Sequence, residues 1–129
     1  VRGLLNGLSE KDAMNAQTPN PPCADASHRY RIDKFTVPAD ARDAFIARIR
    51  FIDGFLHGQP GCLQHGLYEW RLDDGDYGVV TLVQWESEEA MAAAKARAAE
   101  EYRRQDFNPG AFLAQWGIKA DMGSYMRLS

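Results

Sequence analysis

The sequence predicts an α+β domain of β-α-β-β-α-β order over residues 30–129, behind an N-terminal arm of residues 1–29. Three observations carry this. Strand-like runs of β-branched and aromatic residues recur in the chain, apolar stripes at helical spacing separate them, and Pro-Gly or Asp-Gly pairs punctuate the boundaries. A chain of 129 residues fits one such domain.

The arm reads differently from the rest. Asn15-Ala16-Gln17-Thr18-Pro19-Asn20-Pro21-Pro22 can hold neither a helix nor a central strand. It is expected to be mobile, with a helical turn at most near Ser9–Ala13. The chain opens on Val1 and not Met, and either an alternative start codon there or a true start at Met14 is the expected explanation.

Tyr30–Val37 reads as the first strand, closed by Pro38. A helix over 39–58 follows, because Phe45, Ile49, Ile52 and Leu56 fall on one face. Arg42, Arg48 and Arg50 lie off that stripe and are expected in solvent. Gln59-Pro60-Gly61 stops the helix. Cys62–Leu72 is the second strand and Tyr77–Glu86 the third, joined by a hairpin at Asp73-Asp74-Gly75-Asp76. The third strand is apolar on both faces at Val79–Val83, which places it centrally and covered on both sides.

Ser87 is an N-cap, with Glu88 and Glu89 favoured by the helix dipole in the first turn. This second helix runs to about Arg104 with a small inner face: Met91, Ala94, Ala98, then Tyr102. Such a face allows close approach to a sheet or leaves a space beside it. Asn108-Pro109-Gly110 breaks the chain, Ala111–Trp116 forms a short helix, and Ile118–Leu128 alternates as a fourth strand. This order is that of a ferredoxin-like sheet with both helices on one face. The opposite face is left uncovered and apolar, and a second copy of the chain is the economical cover.

Composition narrows the function. Hydrophobic residues at 45% and charged residues at 26% describe a water-soluble globular chain. A net charge of −3 leaves no basic excess for phosphate backbones, so no nucleic acid is expected. No apolar run approaches the roughly 20 residues of a membrane span, so no membrane partner is expected either. Cys23 and Cys62 have no CxxC partner and read as free thiols in a reducing cytoplasm. Histidines, cysteines and carboxylates never recur at ligand spacing, so no metal is expected, and no glycine-rich phosphate loop appears.

The segments Phe35-Thr36-Val37-Pro38, Gln59-Pro60-Gly61 and Val83-Gln84-Trp85-Glu86-Ser87-Glu88-Glu89-Ala90-Met91 resemble the antibiotic biosynthesis monooxygenase family. The resemblance covers about Tyr30 to Leu128, with the segment from Trp85 to Ala90 its most specific part. It implies a dimeric α/β barrel with a pocket between helices and sheet. It also implies that some members oxidise aromatic polyketides with O2 and no metal or flavin, while others degrade haem.

Trp85 matches the family's tryptophan; it either walls the pocket or packs under the second helix. The quinone-forming members carry an asparagine four residues before it, where Thr81 stands here, and a tyrosine six after it, where Met91 stands. Amide and phenol can donate to a developing oxyanion, and methionine cannot. The haem-degrading members carry a tryptophan where Ala94 stands and a histidine near Arg103 or Arg104, so haem degradation is disfavoured.

The expected substrate pocket is Trp85, Thr81, Met91, Ala94 and Ala98. The candidate bases are His65 and Asp33. Imidazole titrates near neutrality, but His65 reads equally as a core or interface histidine on the face of Leu63 and Leu67. Asp33 and Lys34 point to opposite sheet faces, and a buried carboxylate there could take a proton. Two functions stand open. One is a cofactor-independent monooxygenase acting on an aromatic or polyketide-like small molecule. The other is a homodimer that binds a small apolar ligand, or serves a structural role, without catalysis.

Overall fold

The computed structural model describes residues 26–128. The arm up to residue 25, with Met14 and Cys23, lies outside the described residues. The elements run β1 (Arg29–Val37), a 3-10 turn (Ala39–Ala41), α1 (Arg42–Leu56), β2 (Cys62–Arg71), β3 (Tyr77–Trp85), α2 (Glu88–Arg104), α3 (Pro109–Gln115) and β4 (Lys119–Tyr125). The sheet is antiparallel throughout, in the order β2-β3-β1-β4. The expected β-α-β-β-α-β order is present, with α3 as the added short helix.

Alternation assigns each side chain to a face. Phe35 and Val37 of β1, opposite Val79 and Tyr77 of β3, point toward the helices. They join Ala41, Phe45, Ile49, Val79 and Ile118 in the central core. The Phe35 and Phe45 rings sit 4.9 Å apart and pin α1 to the sheet. Truncating a buried phenylalanine of this kind costs roughly 3–5 kcal/mol.

The helix ends follow the expected chemistry. Ser87 Oγ accepts from the Ala90 amide at 3.0 Å, Glu88 and Glu89 occupy the first turn, and Arg103 and Arg104 the last. Asn108 caps α3 in the same way, its Oδ1 accepting from the Ala111 amide at 2.9 Å, with Pro109 at the first helical position. Gly61 has φ of 83° and closes against α2; a Cβ there would lie 2.5 Å from the Ala90 methyl. Its carbonyl accepts from the Glu86 amide at 2.8 Å, tying the end of α1 to the start of α2.

Some details depart from expectation. Leu63 is the extra residue of a bulge, since Cys62 pairs with Trp85 and Gln64 with Gln84. Leu63 is therefore exposed and does not share the face of His65 and Leu67. Strand β4 ends at Tyr125, so Met126 and Leu128 lie beyond it. Arg42 is not free in solvent: Nε and Nη2 clasp Glu69 at 2.6 and 2.9 Å, and this ion pair holds the Glu69 carboxyl below its ordinary range.

The other face of the sheet carries no helix. Its central row is Gly66, Leu82, Ile32 and Gly123, flanked by Tyr68, Val80, Lys34 and Asp121. The Tyr68 ring folds back over Gly66 and the Tyr125 ring over Gly123, leaving no room for a Cβ at either glycine. Trp70 is 74% exposed on this face.

Two glycines on opposite sides of one turn should respond oppositely to alanine. Gly54, inside α1 with nothing within 4 Å of a new Cβ, should gain about 0.5–1 kcal/mol on Gly54→Ala. Gly61→Ala should lose about 2 kcal/mol or more, from its backbone conformation and the Ala90 contact. Urea unfolding of both variants measures the difference.

Candidate functional site

A cavity of about 430 Å³ lies between the helices and the sheet. Its position follows from where the sheet is packed. At one end Phe35 and Val79 carry the core, and at the other Trp85 is buried opposite Arg29. Between these ends the helix-facing pairs are Asp33–Thr81 and Arg31–Val83, and these form the floor with Leu67 and Met122. On α2, Ala94 is buried, whereas Ala98 and Ala99 border the open space. Side chains of one methyl group cannot fill it. The α1 wall adds Phe45, Ile49, Ile52 and Leu56; Phe107, Phe112 and Leu113 close the end near α3.

The wall also carries ionisable groups. Asp33 faces the cavity, and Lys34 points to the bare face, where it lies 3.9 Å from Asp121. Arg31 Nη2 donates to both Asp33 oxygens at 3.1 and 3.3 Å. Arg31 Nε is buried with no hydrogen-bond partner among the described residues. Asp53 of α1 borders the cavity, and its Oδ1 lies 2.6 Å from His65 Nδ1. With the proton on Nδ1, His65 donates to Asp53 and keeps the Nε2 lone pair. The His57 ring stands edge-on to His65 at 5.9 Å. Burial pushes the Cys62 thiol up, and the Asp53 charge adds to this.

Arg48 is the clearest departure from the sequence reading. It was expected in solvent, yet it borders the cavity with its guanidinium 3.7 Å above the Phe107 ring. Its Nη1 donates to Gln105 Oε1 at 3.3 Å. Tyr102 packs edge-on to Phe107 at 5.5 Å. Burial raises the Tyr102 pKa, opposed by the Arg48 charge, so the phenol stays protonated at neutral pH and can donate.

Of the residues expected to shape a pocket, the structure brings Thr81 and Ala98 to the cavity wall, along with Asp33. Trp85, at 4% exposure, and Ala94 are buried core, outside the wall. Met91 also lies outside it, its sulfur accepting from the Ser124 hydroxyl at 3.8 Å. His65 reaches the wall only through Asp53. Arg31, Arg48, Asp53 and Lys95 were missed, although helical spacing contained three of them. Lys95 and Tyr102 lie three before and four after Ala98, Arg48 lies four before Ile52, and Asp53 lies four after Ile49.

A second hollow of about 430 Å³ lies on the bare face near Trp70, Lys34 and Lys119. It is a more open groove, and the ion pair on it, Lys34 with Asp121, is exposed to solvent. Among the described residues, no three His, Cys, Asp or Glu side chains gather as a metal site. No helix among them is long and apolar enough to cross a membrane.

The Asp53–His65 pair and the filling of the cavity can be tested apart. Ala98→Trp should abolish ligand uptake into the cavity with little change in the fold, read by thermal shift and circular dichroism. Asp53→Asn should instead leave the cavity open and weaken the hydrogen bond to His65 Nδ1, read as a change in the imidazole 15N shifts by NMR while ligand uptake persists.

Comparison with known proteins fits this architecture. The family model described as antibiotic biosynthesis monooxygenase matches residues 30–105. A mutant form of SnoaB, a cofactor-independent oxygenase from Streptomyces nogalater, superposes with a TM-score of 0.57 at 21% identity, over 81% of this chain and 96% of that one. A candidate antibiotic biosynthesis monooxygenase from Nitrosomonas europaea gives 0.60 at 18% identity, over 80% and 92%. A dimeric ferredoxin-like protein from an uncultured marine organism gives 0.60 at 10% identity, over 79% and 96%. At these identities the structural matches speak for the fold. No protein of curated description matches the sequence significantly. The family match runs from the first residues of β1 to the end of α2, which supply most of the cavity wall, and this chain belongs to the antibiotic biosynthesis monooxygenase family.

Proposed function

We propose that this chain is a cofactor-independent monooxygenase whose helix-side cavity holds an aromatic or polyketide-like small molecule. The observation that carries the reading is the cavity itself. It is large enough for a planar ring system, lined mainly by apolar side chains, and bordered by a carboxylate–imidazole pair and a protonated phenol.

The chemistry asks little of the protein. A ring CH2 flanked by aromatic rings loses a proton to the Asp53–His65 pair, which accepts it as a unit. The resulting carbanion, delocalised as a phenolate, supplies electrons to O2, and a C–O bond forms. Protonation gives a hydroperoxide. Loss of the remaining carbon-bound hydrogen and cleavage of the O–O bond then release water and leave a carbonyl. The sum is CH2 plus O2 giving C=O plus H2O. Tyr102 and the neighbouring Arg48 stabilise the phenolate oxygen, replacing the amide and phenol that other members carry where Thr81 and Met91 stand here. Asp33 is the alternative base. Its carboxylate is already held by Arg31, so the Asp53–His65 pair is the better acceptor.

The substitutions at Thr81 and Met91 support a second reading, in which the same cavity binds such a ligand without turning it over. An aerobic assay separates the two. Anthrone-type substrates should consume O2 and yield a carbonyl labelled from 18O2, with His65→Gln slowing turnover by about 100-fold and Asp33→Asn by less. A ligand that raises the melting temperature while O2 consumption stays at the buffer rate would favour binding alone.

The assembly we propose is a homodimer through the bare sheet face. Burying Leu82, Ile32, Val80 and Trp70 against a second copy would cover the apolar surface that the helices leave open. Leu82→Arg should therefore yield monomer by sedimentation equilibrium, and a variant that remains dimeric would rule out this face.

A further inference from the structure

The charges on the cavity wall do not balance, and the imbalance has a sign. Asp33 is engaged by Arg31 and Asp53 by His65. Glu101, beside Tyr102 in sequence, pairs with Arg104 and accepts from Gln105 Nε2 at 2.7 Å. Both acids of the wall itself, Asp33 and Asp53, thus have a cationic or donor partner. Two cations of the wall do not have an acid. Arg48 makes one hydrogen bond, to a neutral amide, and stacks on Phe107. Lys95 has no ion pair among the described residues. The chain as a whole carries −3, so the positive wall is a local feature.

We infer that the cavity takes a planar aromatic acid, whose standing negative charge sits against Arg48 and the Tyr102 hydroxyl while Lys95 adds to the field from about two turns earlier along the α2 wall. This rests on reading the cavity as the ligand site and adds the charge of the ligand. Arg48 is suited to the task. Stacking on Phe107 holds the guanidinium plane, and Nη2 and Nε have no hydrogen-bond partner among the described residues, leaving two donors for a carboxylate. The Tyr102 phenol has no hydrogen bond within the described chain and stands within the field of Arg48. The rings of Phe107 and Phe112, 5.6 Å apart, supply the apolar faces beside this polar corner.

The test uses two probes of one shape that cannot be oxidised at a CH2: anthracene carboxylate and anthracene carboxamide, titrated against the full chain by probe fluorescence near neutral pH. The acid should bind about tenfold or more tightly than the amide, and added salt should narrow the gap. Lys95→Met and Arg48→Met should each weaken the acid and leave the amide unchanged. Tyr102→Phe should weaken the acid by less. Arg48→Lys should retain part of the preference, since it keeps charge and loses the paired donors. If Arg48→Met melts early from loss of its ring stack, the exposed Lys95→Met and Arg48→Lys decide the matter.

Equal affinity for the two probes, a preference that survives these substitutions, or no binding of either probe would overturn the inference. The oxygenase reading fails separately. O2 uptake with uncharged anthrone and no preference for acids would keep the oxygenase and remove the anion site, whereas acid-selective binding without turnover would do the reverse.

Discussion

The structure depends on how the helices are held off the sheet. α1 is fixed near one end by Phe45 and Ile49 against Phe35, Val37 and Val79. α2 enters at the other end, where Ser87 caps it and Ala94 is buried. Both ends are close-packed, so the spacing between them is set, and interiors packed to this density do not close small gaps at will. Whatever lies between the anchors either fills the space or leaves it open. Ala98, Ala99 and Thr81 leave it open.

The same spacing explains why polar groups tolerate the interior. Arg31 and Asp33 come from the middle of a central strand, a position usually given to Val or Ile. They persist because Arg31 Nη2 holds both oxygens of Asp33 on the floor of an open space, which also borders the buried Arg31 Nε that has no partner among the described residues. The Arg42–Glu69 pair is different. It ties the start of α1 to β2 at the surface, where solvent screens it, and it serves alignment more than stability.

Much of this was legible in the sequence. The order of elements along the chain, the hairpin at Gly75, the Ser87 cap and the stripe on α1 all come from local rules. The cavity was legible only as a stripe of small residues on α2. Trp85 shows the limit: a large aromatic at a family motif suits wall and core equally, and only the register with Arg29 puts it in the packed end. Arg48 shows another. Off-stripe arginines usually reach solvent, but this one finds Phe107, a residue 59 positions further along the chain. No spacing rule links them. The phase of His65 depended on the Leu63 bulge, which leaves no clear mark in a run of ordinary strand residues.

The two tyrosines folded over glycines on the outer strands have an evolutionary consequence. Gly66 and Tyr68, like Gly123 and Tyr125, are one steric unit: any side chain at the glycine must displace the ring beside it. The dependence runs one way: a smaller residue at the tyrosine meets no clash, whereas a residue larger than glycine must first turn the exposed ring outward. Among homologous sequences, loss of the tyrosine should therefore precede a larger residue at the glycine two places before it.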